Sequence, residues 1–88
     1  MAIDLDRILT VSAKDYCESV DRQLRGYSLR GFSVTRGLSS ETNPREELAK
    51  EIPENAEVVV NYRSNNLGEV FYEASGTALF RNETSEQK

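Results

Sequence analysis

The sequence predicts a small two-layer α+β domain: a mainly antiparallel sheet of three or four strands, with one long helix over 12–25 and one short helix over 44–52. Three observations carry that expectation. One 14-residue stretch repeats its apolar residues at helical spacing, two late stretches alternate at strand spacing around a turn-rich joint, and a proline-led acidic segment lies between them. With 88 residues there is material for one core, expected over residues 1–81, and a tail without apolar side chains over 82–88.

In chain order, Arg7 to Val11 is rich in β-branched residues and reads as a short strand; an extra helical turn starting at Asp4 or Asp6 also fits residues 3–11. From Ser12 to Arg25, Ala13, Tyr16, Cys17, Val20 and Leu24 fall on one helical stripe. Ser12 with Asp15 resembles a capping box and Gly26 offers a left-handed stop. Tyr27 and Leu29 alternate in one phase and Phe32 and Val34 in the other, which predicts one bent strand over 27–36 with a bulge at Gly31. After a polar loop from Gly37 to Thr42, Asn43 caps a short helix, Pro44 takes its first position, Glu46 and Glu47 face its positive end, and Pro53 stops it.

Ala56 to Arg63 and Glu69 to Arg81 are the strongest strand signals, and Ser64 to Gly68 between them predicts an antiparallel hairpin. The expected core face sets Val58, Val60, Tyr62, Val70, Tyr72 and Phe80 against Ala13, Tyr16, Cys17, Val20 and Leu24. An aspartate at Val20 is then expected to unfold the chain. Gly76, with Ala74, Ser75 and Ala78 around it, marks a place where another element or another subunit approaches closely.

The chemistry is sparse. Without histidine the usual triads and the commonest metal ligand are missing, and the glycines match no phosphate-binding fingerprint. Cys17 lies on the apolar stripe and reads as a small core residue. The carboxylates Glu46, Glu47, Glu51, Glu54 and Glu57 read as helix-capping and solvating groups. No catalytic, cofactor or metal residue is expected, and the chain reads as no enzyme. A single cysteine and an N-terminus without an apolar run point to a reducing, cytoplasmic location and no membrane span.

One asymmetry remains. Arg22, Arg25, Arg30 and Arg36 stand in a segment, 22–38, with no acid, so a net charge of -4 divides into +4 here and -8 elsewhere. These arginines are the expected contact residues for another copy or a protein partner, by charge complementarity, or else for RNA or DNA, with Tyr27 and Phe32 stacking on bases. Self-assembly or protein–protein interaction is the leading expectation, because an overall negative charge opposes a polyanion.

Residues 48 to 80 resemble the C-terminal part of the YbjQ-like family, small proteins labelled as heavy-metal-binding domains. The matching features are a helix running into Asn55-Ala56, the strand Val58-Val59-Val60-Asn61-Tyr62, and a strand ending in Ala74-Ser75-Gly76-Thr77-Ala78. The resemblance implies a dodecin-like β-α-β-β fold and oligomer formation. The metal label does not transfer to a chain with no histidine and one thiol.

Overall fold

In the computed structural model, residues 3–39 and 43–82 are described; of the expected tail over 82–88 only Asn82 lies within them. The chain is a small α+β domain built on a three-stranded antiparallel sheet. Its strands are β1 (Tyr27–Gly37), β2 (Val58–Leu67) and β3 (Phe71–Arg81), in the order β1-β3-β2, with helices α1 (Ala13–Ser19) and α2 (Pro44–Ala49).

Both helices start as their residues dictate. The Ser12 side chain accepts the Asp15 N–H at 3.1 Å, and Asn43 accepts that of Arg45 at 2.9 Å, each satisfying a donor that the first turn leaves over. Helix α1 is shorter than its apolar stripe predicts. It ends at Ser19, and the chain reverses at Asp21 in the left-handed region (φ 58°), not at Gly26. Gly26 closes a 3-10 turn over Leu24–Gly26, and Val20 and Leu24 are left exposed. Residues 3–11 divide between the two possible readings. Leu5–Arg7 is a 3-10 turn, and Ile8 to Val11 then runs beside the outer edge of β2, with one parallel bridge to Val59. There the Leu9 N–H reaches the Val59 carbonyl at 2.8 Å and the Tyr62 N–H returns to Leu9 at 3.0 Å.

The predicted bulge in β1 is absent: all eleven of its residues pair with β3 in unbroken register. The phase change at Gly31 has another cause, since β1 serves two cores on opposite faces. Tyr27 buries with Cys17, Val58, Val60 and Leu79 under α1, while Val34 buries with Leu48, Ala49, Ile52, Val59, Tyr72, Ala74 and Ala78 against α2. The expected single core face is therefore two. The sheet's irregularity lies in β2, between Val60 and Arg63, where Asn61 takes φ 57°. One extra residue there moves Tyr62 to the face opposite Val60, so that it packs beside the α2 core.

The hairpin is tighter than expected. Ser64 to Leu67 belong to β2, the reversal falls at Gly68 (φ 74°), and Val70 sits in the turn, 61% exposed. At the other end Asn82, placed in the tail by composition, holds the start of β1: its N–H reaches the Gly26 carbonyl at 2.9 Å and its side chain accepts the Ser28 hydroxyl.

Candidate functional site

The sheet is covered unevenly. On the face that holds Tyr27 and Leu79, helix α1 shields one end only. Farther along the same face Leu29, Phe71 and Leu67 stay exposed, and between them lies an open hollow of about 520 Å³ lined by Gly31, Phe32, Ser33, Asn61, Arg63, Ser75, Gly76 and Thr77. The register fixes its layout: Ser33, Ser75 and Arg63 form one row across all three strands, and Gly31 stands beside Thr77 in the next.

Two glycines shape the hollow from opposite sides. A Cβ on Gly31 would meet nothing within 4 Å, so this position opens onto the hollow. A Cβ on Gly76 would point the other way and stand 2.6 Å from Val59 Cγ1, so β3 can approach β2 and α2 here only as glycine. The small residues noted around Gly76 thus receive this chain's own core on one side and an open surface on the other.

Arg63 is exposed and has no ion pair or hydrogen bond among the described residues. The four arginines singled out by sequence do not form one patch. Arg36 is held by α2 and the turn after it, with Nε 3.2 Å from Glu47 Oε1 and Nη2 3.4 Å from Glu51 Oε2. Arg30 lies over the rings of Phe32 and Phe80, at 5.1 and 5.9 Å. Arg22 and Arg25 stand at the α1 end, before β1 begins. Sequence reasoning passed over Arg63 because it sits in a strand among polar residues; only the register shift at Asn61 sets it in a row with Ser33 and Ser75.

The second polar cluster is half-buried at the α1 end of the sheet. Glu57, just before β2, accepts the Tyr16 hydroxyl at 2.6 Å and the Tyr27 hydroxyl at 2.7 Å on Oε2, and Arg81 Nη2 at 2.9 Å on Oε1. Burial pushes its carboxyl up, but the hydrogen bonds from Tyr16, Tyr27 and Arg81 outweigh this and hold it below its ordinary value. Burial, then the bond to the Glu57 carboxylate, pushes both tyrosines above theirs. These saturated contacts fasten α1 to the sheet and offer no free nucleophile or base. Cys17 beside them is 3% exposed, and burial raises its thiol.

Among the described residues no three or more acidic or cysteine side chains are placed to hold a metal, and no helix is long and apolar enough to cross a membrane. No family model, no curated protein and no solved structure matches the chain.

Proposed function

We propose that this protein is a small non-catalytic, cytoplasmic module that works by assembling with a second copy of itself, edge to edge along β1. The observation that carries this is the outer edge of β1, eleven residues long, free of proline and bulge, and paired with no other strand among the described residues. Such an edge is a template for another strand unless the fold blunts it.

The hydrogen bonds at both ends of the ladder define which groups are available. Asn82 bonds to Gly26, and the Leu38 N–H reaches the Val70 carbonyl at 2.7 Å. Even-numbered residues of β1 therefore face β3, and Tyr27, Leu29, Gly31, Ser33, Thr35 and Gly37 turn their N–H and C=O outward. A two-fold pairing centred on Phe32 uses the whole strand, setting Tyr27 of one copy against Gly37 of the other and Phe32 against its equivalent. Arg30 then faces Val34 and Arg36 faces Ser28, whereas centring on Ser33 would oppose Arg30 to Arg36. Arg36 already has carboxylate partners within its own chain, which lowers the like-charge cost of bringing two copies together. The resemblance of residues 48–80 to an oligomer-forming family belongs to the same proposal; its metal label does not. A lone, buried thiol suits the reducing compartment.

Native mass spectrometry tests this. Wild type is expected at twice the 9.9 kDa chain mass. Thr35→Pro removes an outward N–H and leaves the β1–β3 ladder intact, and Phe32→Lys sets like charges opposite each other at the centre. Both are expected at the single-chain mass. A monomeric wild type, or an undisturbed Thr35→Pro dimer, would overturn the reading; a monomer retained on RNA, and released by Arg22→Glu with Arg25→Glu, would favour the nucleic-acid alternative.

A further inference from the structure

We infer that the hollow on the open sheet face is a binding site for a phosphate monoester, with Arg63 as its anchoring charge. The lining is made of donors. Arg63 brings a guanidinium with five N–H groups, Asn61 an amide, and Ser33, Ser75 and Thr77 three hydroxyls, and no carboxylate is among the lining residues. Ser33, Ser75 and Arg63 come from three different strands in one row, so their donors rise side by side from a rigid support.

An exposed arginine in a chain of net charge -4 has many acids to choose from, yet this one pairs with none among the described residues. Glu73, one row along on the same face, makes no ion pair with it. The general negative charge acts over distance and is screened within about 8 Å at physiological salt, so a local donor set can outweigh it. A guanidinium alone satisfies a carboxylate through its fork; hydroxyls on two further strands add donors that a tetrahedral oxyanion, with more acceptor oxygens, can use. The hollow also extends beyond the row of Arg63, Ser33 and Ser75 to Gly31 and Thr77 in the next row, more room than a bare anion needs. The remaining space lies over Gly31, which keeps the floor clear for the body that carries the phosphate.

Amide NMR shifts during titration with glycerol phosphate, inorganic phosphate and acetate, at matched ionic strength, test the inference. Glycerol phosphate is expected to move Ser33, Arg63, Ser75 and Thr77 saturably. Arg63→Gln is expected to weaken binding by about tenfold or more, the loss of a charge-assisted hydrogen bond. Gly31→Leu starts from a position where a Cβ meets nothing within 4 Å and extends into the hollow, so it is expected to abolish binding without lowering the melting temperature. Unchanged affinity in Arg63→Gln, or acetate binding as tightly as glycerol phosphate, would overturn the site, and inorganic phosphate binding equally tightly would overturn the monoester. Thr35→Pro leaves every lining residue in place, so its titration separates this site from the self-assembly reading.

Discussion

The Tyr16 hydroxyl donates to Glu57 Oε2 across 2.6 Å and so ties helix α1 to the residue that leads into β2. Because this bond, with those from Tyr27 and Arg81, holds the Glu57 carboxyl below its ordinary value, the contribution to stability is complete above the unfolded-state value and disappears as pH falls through the lower folded one. Tyr16 and Tyr27 act in the opposite sense. Their folded values are raised, so their contribution is complete below the unfolded value and is lost as pH climbs through the folded ones. Thermal melts across pH are expected to fall on both limbs. Glu57→Gln should cost about 1–2 kcal/mol at neutral pH and converge with wild type in acid. A constant gap between the two across the acid range would show that this carboxylate does not fasten α1.

Tyr72 behaves differently from the other buried tyrosine of the sheet. It is 2% exposed and its hydroxyl has no hydrogen-bond partner among the described residues, whereas the hydroxyl of Tyr27 bonds to Glu57. Removing an unsatisfied buried hydroxyl removes a desolvation cost of about 1–3 kcal/mol. Tyr72→Phe is therefore expected to leave the midpoint of urea unfolding unchanged or raise it, and Tyr27→Phe to lower it. A clear loss in Tyr72→Phe would reveal a partner for the hydroxyl.

The exposure of Val20 reverses the expectation that an aspartate there unfolds the chain. At 38% exposed, just after the last residue of α1, Val20→Asp meets water and should shift stability by no more than about 0.5 kcal/mol. Leu79 is fully buried under α1 on the same face, and Leu79→Ala should cost about 2–5 kcal/mol. Equal losses in denaturant titrations of the two variants would contradict the core described above.

What could be read from the sequence is what local chemistry decides. The caps at Ser12 and Asn43, the start of α2, the body of β3 and the burial of Cys17 follow from short-range patterns, and they are found where those patterns put them. The two-sided sheet was not legible. Opposite phases in Tyr27/Leu29 and Phe32/Val34 are the same string whether a bulge corrects one face or two faces are both used, and only tertiary contact with α1 and α2 distinguishes them. The bulge that exists, at Asn61, carries no glycine to betray it. Arg63 enters the candidate site through that bulge, whereas the four arginines that composition favoured are dispersed by the contacts of Arg36 with α2 and of Arg30 with two phenylalanines.

Gly76 is the position where close packing can be tested most directly. It lies in the middle of the central strand, and an added Cβ would stand 2.6 Å from Val59 Cγ1, with the Val60 carbonyl at 3.4 Å and Leu48 Cδ2 at 3.5 Å. Val59 and Leu48 are themselves fully buried, so neither can swing into solvent, and the strand or α2 has to shift. Gly76→Ala is expected to cost about 1–3 kcal/mol, the usual penalty for overpacking, despite the better strand propensity of alanine. Val59→Ala removes the methyl group that the new Cβ would strike. Alone it should be destabilising through the cavity it leaves, but the double variant should be more stable than the sum of the two single losses, because each change supplies what the other lacks. Urea unfolding of the two single variants and the double variant measures that coupling. A strictly additive result would mean that β3 does not pack against Val59 at this point, and would remove the close contact that sets the two faces of the sheet apart.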